Sequence, residues 1–453
     1  MLNELLLRLA NPISDGVFEK LVTEDYAKNP LVMMTIIEKL TLRAIAETGI
    51  RAETGKALSR PMGSPLRLSP WEKLLLNPRQ LFQLPTKKQT EIKTEVTIGP
   101  NAKKPLKINL PILITGMSYG GSLNLRMKEA LAKGASLAGT ATNTGESSVT
   151  AEERKAGKFL IGQYNRGGWL NTPEQLKQLD AIEVQFGQGA WGGAVESSMN
   201  YDQMDDHLRE LWNVKPGESS GKKSRFDKVD SPEDIINLVN NLKQTYQVPI
   251  GIKIAATHFM ERELDVIGRT QADFIVIDGQ EGGTAAASPT LEDDLGLPTL
   301  FALSRTVDWL RTQGKRQQFS LIAAGGLRTP GEFLKALALG ADAVYIGSIA
   351  IIATLQSQMI KALPQYPAPQ LALYNGSLAE QLDVDMGSKH LGNFLQSCRE
   401  EMIMALQAMG KTSIRELGRE DLVCIDRELA NALKIDYAGD PLSQGITVPF
   451  AAK

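Results

Sequence analysis

Short apolar runs alternate with helical segments from about residue 110 onward, and this alternation is the feature that most constrains the fold. Strands joined through helices pair in parallel, because a parallel connection needs a crossover. Eight strands is the number that closes a TIM barrel. The eight runs lie at residues 112–115, 137–142, 159–164, 181–187, 249–255, 274–279, 320–325 and 343–347. The sequence therefore predicts an α/β fold, a (β/α)8 TIM barrel with a helical extension at each end.

Three segments between the predicted strands carry residues that begin helices. At Thr172, Ser231 and Thr329 a hydroxyl residue precedes a proline, and acidic or amide side chains follow within the first turn. A hydroxyl at this position caps the free N–H groups of a first turn, and proline fits the first helical position. Each segment is therefore predicted to begin a crossover helix.

The strand rhythm is confined to the middle of the chain and divides it into three predicted parts. Residues 1–105 form an N-terminal helical extension that ends with a short strand at 90–98. Residues 106–362 form the barrel. Residues 363–453 form a C-terminal helical extension, in which a long helix over 387–409 ends at Gly410, a residue typical of helix C-termini.

Charge, cysteines and histidines exclude several classes of function. Fifty basic and 52 acidic side chains leave a net charge of −2, which gives no general attraction for nucleic acid. Two cysteines, Cys398 and Cys424, cannot build a disulfide framework and fit a reducing compartment. The histidines lack the spacing of a zinc site, so no metal site is expected. A small-molecule substrate is favoured.

The sequence contains no recognisable targeting or membrane-spanning segment. The apolar run at residues 1–7 includes Glu4 and lacks the basic start and the cleavage site of a signal peptide. No window reaches ~18 uninterrupted apolar residues, so no membrane span is expected. These observations predict a cytoplasmic protein.

Two glycine turns follow the last two predicted strands, and they are the strongest local signal of a ligand. Gly325-Gly326 and Gly347-Ser348 each lead directly into a helical segment. In barrels these two loops and a helix N-terminus commonly form a phosphate site, since glycines let backbone N–H groups approach an oxyanion. Arg328 is a candidate cation. Alternatively the glycines only make a tight turn and Arg328 is solvated, but two turns at the correct repeats favour phosphate.

Other predicted loops at the same end of the barrel admit two interpretations. The loop after strand one carries Met117 and Ser118, and it is either a platform for a flat ring or an ordinary glycine-rich loop. The turn after strand six contains Gly283, which permits close approach of a ligand. Glu146 follows strand two, and it either acts in proton transfer or substrate binding or faces water beside a turn.

Two basic features are assigned differently. Lys253 ends strand five between two isoleucines and projects either into the barrel mouth or outward between helices. We favour the inward position, where an ammonium group stabilises negative charge on a reduced cofactor. The basic residues at 221–225 lie in the long connection between strands four and five, and we interpret them as a solvated loop.

Five short motifs, taken together and in order, resemble the FMN-binding synthase domain of glutamate synthases. The resemblance extends over about residues 106–359 and is closest to stand-alone glutamate synthase-like, FMN-binding proteins. The motifs are Gly116-Met-Ser-Tyr-Gly120, Asn143-Thr-Gly-Glu146, Gln188-Gly-Ala190, Gly282-Gly-Thr284 and Ala324-Gly-Gly-Leu327.

This resemblance implies a barrel in which reduced FMN passes a hydride to 2-iminoglutarate, formed from 2-oxoglutarate and ammonia. It implies that Glu146, Gln188 and Lys253 are catalytic residues, and that Gln185 and Arg166 join Glu146 and Gln188 in substrate binding. The residues that it implies for FMN are Met117, Ser118, Lys253, Gly283, Gly325, Gly326, Gly347 and Ser348.

The sequence departs from the family pattern where the substrate and the electrons would enter. Gln185 and Trp191 stand where the family carries lysines, and Arg166 is displaced from the family's arginine. Residues 351–359 lack the family's cluster cysteines, so no iron–sulfur cluster is expected. We expect no glutaminase domain either. Ammonia is expected from solution or from a partner subunit, and the electron donor is not identified.

Three alternative functions follow from these departures. One keeps FMN but changes the substrate. Another is a non-catalytic barrel subunit of an amidotransferase-type complex, although intact glycine turns argue against it. The third is a metal-independent aldolase in which Lys253 forms a Schiff base.

Overall fold

The computed structural model describes residues 15–25, 27–29, 31–193, 195–285 and 287–442, and the apolar run predicted at residues 1–7 lies outside them. The chain divides into two compact units at Ser59. The described part of the first unit contains helices Leu31–Leu40 and Leu42–Thr54, the second of which is capped by Thr41. The second unit begins at Arg60 and contains the barrel.

Eight parallel strands form the closed barrel that the sequence predicts, and β8 pairs with β1 to complete it. Strands β1 to β8 span Ile112–Ile114, Ala141–Asn143, Phe159–Tyr164, Ala181–Gln185, Ile250–Ala255, Phe274–Asp278, Ser320–Ala324 and Ala343–Ile346. A helix follows each strand, and α1 to α8 span Leu125–Ala138, Ala151–Ala156, Pro173–Leu176, Pro232–Thr245, Met260–Ile267, Thr299–Thr312, Pro330–Leu339 and Ser348–Leu355. The three predicted caps, Thr172, Ser231 and Thr329, begin α3, α4 and α7.

The second strand begins later in the structure than the sequence predicts. Residues 137–138 end helix α1, Gly139 adopts a left-handed conformation with φ of 72°, and β2 starts only at Ala141. A left-handed residue ends a helix because its N–H can turn back to the last carbonyls, and glycine does this without strain. Leu137, which looks like a strand residue, is instead 64% exposed.

The predicted strand at 90–98 is shorter in the structure and lies at the closed end of the barrel. Val96–Ile98 pairs antiparallel with Leu106–Ile108, and Ile98 and Ile108 are buried. The Gly99 N–H donates to Ser320 Oγ at 3.0 Å, at the start of β7. This hairpin therefore covers the N-terminal ends of the strands and leaves their C-terminal ends for a site.

The C-terminal extension packs against the barrel as well as against itself. Its long helix, predicted at 387–409, spans Val384–Ala408, and an added Cβ at Gly134 of α1 would lie 2.8 Å from Leu391. The extension is not purely helical, because Leu422–Cys424 is a strand between Leu74–Leu76 and Asp436–Tyr437.

The remaining elements are an insertion between β4 and β5 and several short helices. None of the helices in the described ranges is long and apolar enough to cross a membrane. The insertion contains strands Ser197–Asn200 and Ser219–Lys222 and helix Asp206–Trp212, and the other helices are Pro289–Asp293 and Arg427–Leu433. The 3-10 turns span Trp71–Lys73, Gly189–Trp191, Tyr201–Gln203, Gln356–Lys361, Ala368–Leu371, Ala379–Gln381, Ile414–Glu416 and Arg419–Asp421.

A buried ion pair joins α1 and α2 beneath the end of β2. Lys128 Nζ lies 2.8 Å from Glu153 Oε1, and both side chains are almost completely buried. Lys128 also donates to the carbonyl oxygens of Asn143 and Thr144, while Thr144 Oγ1 donates to Glu153 Oε2 at 2.7 Å. The pair therefore fixes the loop that leads to Glu146.

We predict that Lys128→Met lowers the free energy of unfolding by about 3–5 kcal/mol, because it leaves the Glu153 carboxylate buried without its cation. Urea denaturation measures this change. Arg126→Ala is the matched control, since Arg126 and Glu380 form an exposed pair worth at most about 1 kcal/mol. The double variant Lys128→Met/Glu153→Met should recover most of the loss, and equal losses in the single and double variants would contradict the assignment.

Candidate active site

A cavity of about 530 Å³ lies at the C-terminal ends of the barrel strands. Loops that follow β1, β2, β4, β6, β7 and β8 line it, together with the inserted strands Ser197–Asn200 and Ser219–Lys222. In TIM barrels this face carries the active site, because the loops after the strands converge there. The cavity is therefore the candidate active site.

Ten of the twelve site residues predicted from the sequence line this cavity. They are Met117, Ser118, Glu146, Gln188, Lys253, Gly283, Gly325, Gly326, Gly347 and Ser348. Gln185 and Arg166 are buried behind the lining. The Gln185 amide donates to Gln188 Oε1 at 3.3 Å, and Arg166 Nη1 donates to the Lys223 carbonyl at 3.0 Å. Gln185 therefore supports a lining residue, whereas Arg166 bonds to the chain just beyond the lining residue Lys222, and direct contact of either with a substrate stays a prediction.

One end of the cavity is built from backbone groups. Gly325 and Gly326 have φ of 113° and 70°, values that side chains rarely permit. The Gly326 N–H has no acceptor among the described residues. Ser348 is the first residue of α8, so its N–H has no acceptor within the helix. Backbone donors at a helix N-terminus favour an anionic group such as phosphate.

Arg328, the cation suggested for this end, is hydrogen-bonded to Glu332 of α7, the helix that follows it. Its Nη2 donates to Glu332 Oε1 at 2.7 Å, and its backbone N–H donates to Glu332 Oε2 at 2.6 Å. The Arg328 side chain is 40% exposed and lines the cavity edge. An anion at this end would therefore be bound mainly by backbone N–H groups.

Lys253 lies inside the barrel mouth, as the sequence analysis favoured. Its ammonium lies 3.0 Å from Asp278 Oδ2 at the end of β6, and its side chain is 3% exposed. Burial alone lowers the pKa of Lys253, but the carboxylates of Asp278 and Glu183 outweigh burial and raise it. The lysine therefore keeps its proton. This argues against the aldolase alternative, because a Schiff base requires an unprotonated amine.

A buried polar network below Lys253 was missed in the sequence analysis. Glu183 on β4 accepts hydrogen bonds from Gln163 Nε2 at 2.7 Å and from the Tyr345 hydroxyl at 2.9 Å. Asn143 Nδ2 donates to the same hydroxyl at 3.2 Å. Burial raises the pKa of the Glu183 carboxyl, and the nearby Lys253 opposes the rise. The signal was present in the sequence, because polar residues interrupt otherwise apolar strands at inward positions.

Glu146 forms an ion pair with Lys222, a residue predicted from the sequence to lie in solvent. Lys222 Nζ lies 2.7 Å from Glu146 Oε2, and only 9% of the lysine side chain is exposed. The same ammonium lies 4.6 Å from the centre of the Trp191 ring. The interpretation of residues 221–225 as a solvated loop is therefore wrong for Lys222, because strand pairing turns it inward, whereas Lys223 is 58% exposed.

Comparison with known proteins identifies the family. The conserved region of glutamate synthase matches residues 67–412 of this chain. The chain belongs to the glutamate synthase family. The resemblance noted from the five motifs is therefore confirmed, and the chain is an oxidoreductase of the glutamate synthase type.

Two relatives show how far this similarity extends. A glutamate synthase large subunit-like protein of Rhizobium meliloti is 30% identical over 417 residues, which cover 87% of this chain and 93% of that protein. The archaeal glutamate synthase [NADPH] of Methanocaldococcus jannaschii is 31% identical over 360 residues, covering 78% and 69%. Glutamate synthase-family sequence similarity therefore includes the whole barrel.

A solved structure supports the fold alone. A mutant flavocytochrome b2 with benzoylformate superposes with a TM-score of 0.51 at 16% identity, covering 82% of this chain and 80% of that chain.

In the described ranges of this glutamate synthase-family chain, no group of three or more His, Cys, Asp or Glu side chains is arranged to hold a metal ion.

We predict that Tyr345→Phe costs about 1–3 kcal/mol of unfolding free energy at pH 8 and less at pH 5, because it removes a donor to Glu183. The folded-state pKa of Glu183 is raised. The stability that protonated Glu183 contributes is present below the unfolded-state pKa of about 4.3 and is lost as the pH rises through the folded-state pKa. The Tyr345 hydroxyl favours the ionised form and limits that loss.

Urea denaturation at the two pH values measures the effect. Tyr366→Phe is the control, since Tyr366 is exposed and its change should have little effect at either pH. An equal cost of Tyr345→Phe at pH 5 and pH 8 would contradict the role of the hydroxyl beside a titrating carboxyl.

Proposed function

We propose that the protein binds FMN in the cavity at the barrel mouth and reduces 2-iminoglutarate, or the imine of a related 2-oxo acid, to the amino acid. The observation that carries this proposal is that all eight residues implied for FMN line one cavity. Membership of the glutamate synthase family supports the same reaction class. The electron donor is not identified, and the ammonia source and cytoplasmic location stay predictions.

The residues present fit FMN at both ends of the cavity. The backbone donors near Gly326 and Ser348 fit a phosphate, because they supply unpaired N–H groups at a helix N-terminus. The loop containing Met117 and Ser118 supplies an apolar side chain and backbone groups for a flat ring. Lys253 supplies a buried cation whose pKa is raised. Together these groups suit a molecule with a phosphate at one end and a redox ring at the other.

FMN held by these residues would, in its reduced form, supply the hydride, and the surrounding residues would supply charge and position. Lys253 keeps its proton beside Asp278, so a positive charge is available to stabilise negative charge on the ring. Glu146 and Gln188 would orient the imine group of the substrate, and Glu146 carries a buried oxygen, Oε1, without a hydrogen-bond partner among the described residues. A substrate N–H is a suitable donor for it.

The expected absence of an iron–sulfur cluster rests on residues 351–359, which lack cysteines, and on the small number of cysteines elsewhere. Cys398 and Cys424 are both buried, and burial raises the pKa of each thiol. Two cysteines are too few to supply the thiolates that hold a cluster. We therefore propose that a separate electron donor, a soluble molecule or a protein, reduces the flavin directly and that no cluster on this chain carries the electrons. Ammonia comes from solution or a partner subunit.

A different imine or 2-oxo acid is the second candidate substrate, and the aromatic wall favours it. Trp169 and Trp212 stack with ring centres 3.9 Å apart, and both line the cavity together with Trp191. Gln185 and Trp191 replace lysines of the family pattern. Trp191 increases the apolar surface available to a substrate side chain, whereas Gln185 lies behind the lining.

The reaction is tested by reducing the FMN-loaded protein without oxygen and then following oxidation of its bound FMNH2 after a substrate is added. We expect 2-oxoglutarate plus ammonia to oxidise the flavin and to yield glutamate, with neither compound effective alone. Oxidation only by a more apolar 2-oxo acid plus ammonia would support the second candidate. A purified protein that has no visible flavin absorbance and takes up no FMN would overturn both.

We predict that Ser348→Asp raises the Kd for FMN at least about tenfold relative to Ser348→Asn, because a carboxylate repels the phosphate. The two side chains have nearly the same shape, and an acidic residue at a helix N-terminus does not destabilise the helix. Quenching of flavin fluorescence by the apoprotein measures the Kd. Riboflavin, which lacks the phosphate, should bind both variants alike. Equal FMN affinity of the two variants would place the phosphate elsewhere.

A further inference from the structure

The inserted hairpin between β4 and β5 brings a lysine into the cavity. Strands Ser197–Asn200 and Ser219–Lys222 pair antiparallel, with Lys222 opposite Ser197. The Lys222 side chain lines the cavity and is 9% exposed. The neighbouring Lys223 is 58% exposed and pairs with Asp227 at the surface. Of these two lysines, only Lys222 therefore reaches the cavity.

The contacts of Lys222 leave part of its hydrogen-bonding capacity unused. An ammonium group has three N–H donors. Glu146 Oε2 accepts one at 2.7 Å, and no other acceptor for Lys222 Nζ occurs among the described residues. The Trp191 face, 4.6 Å away, attracts the charge without replacing a full acceptor. A buried ammonium is costly when its donors are unpaired, so a ligand acceptor beside it is favoured.

The charge around Glu146 also favours an anionic ligand. Lys222 pairs with Glu146 directly, and the guanidinium of Arg166 interacts with the same carboxylate electrostatically. Two cations around one carboxylate leave a local excess of one positive charge. Lys253 faces the carboxylates of Asp278 and Glu183. The positive excess therefore lies on the Glu146 side of the cavity.

We propose that Lys222 binds the carboxylate of the substrate and sets the preference for 2-oxo acids, an inference that rests on the proposed function. The lysines expected at 185 and 191 are replaced by glutamine and tryptophan. The Lys222 ammonium lies over the Trp191 ring itself. A cation absent from the loop after β4 is thus supplied by the hairpin, and the carboxylate bonds to it through the free N–H groups.

Titration of the FMN-loaded protein with 2-oxoglutarate and with pyruvate, followed through the flavin absorption spectrum, tests the proposal. We expect Lys222→Met to raise the Kd by about 10- to 100-fold, the effect of losing a hydrogen bond to a charged group. Lys223→Met is the matched control and should change the Kd by less than about twofold, because its side chain is exposed. The Kd for FMN should be unchanged in both.

Two further variants separate lost charge from lost structure. Lys222→Arg keeps the cation and should retain most of the affinity. Lys222→Met/Trp191→Lys returns a cation to position 191 and should recover at least part of it. Failure of both variants to bind better than Lys222→Met, equal affinity of Lys222→Met and Lys223→Met, or no binding of either acid by the unaltered protein would overturn the proposal.

The same experiment distinguishes this proposal from the proposed reaction. Binding that depends on Lys222, without FMNH2 oxidation by any 2-oxo acid plus ammonia, would retain the carboxylate site and reject the reaction. Turnover that is equal in Lys222→Met and the unaltered protein, in both kcat and KM, would retain the reaction and reject the role of Lys222.

Discussion

Closure of eight parallel strands sends alternate side chains into one confined interior, and the candidate site depends on this constraint. Charges in this interior need partners, since burying a charge away from water without a partner costs several kcal/mol. Lys253 is accordingly held beside Asp278, and Glu183 accepts hydrogen bonds from Gln163 and Tyr345. The polar floor of the cavity is thus a consequence of neighbouring strands satisfying one another.

The cavity combines two kinds of recognition that arise from different levels of structure. Near Gly326 and Ser348 the donors are backbone N–H groups, so their position is set by turn geometry and by the start of α8. Near Glu146 the recognition groups are side chains from separate parts of the chain. The first arrangement suits a group common to many ligands, such as phosphate. The second can change between relatives without altering the barrel.

The insertion between β4 and β5 supports the Glu146 side of the cavity. Its strands carry Lys222 to Glu146, while Trp212 of its helix stacks on Trp169 of the loop after β3. The Trp212 Nε1–H donates to Ser147 at 2.9 Å, next to Glu146. Lys128 and Glu153 hold the same loop from beneath. The loop after β2 is therefore fixed from both sides, which positions Glu146 before any ligand binds.

Sequence by itself determined the barrel, the order of its strands and the residues near its glycine turns. These features depend on local alternation, capping residues and short motifs, all of which are readable over a few positions. It placed β2 too early, because Leu137 is apolar whether it ends a helix or begins a strand. Only the tertiary structure decided that Lys222 lies on Glu146 and that Glu183 joins Tyr345, 162 positions away. Such contacts are set by strand closure and hairpin pairing, which no local pattern encodes.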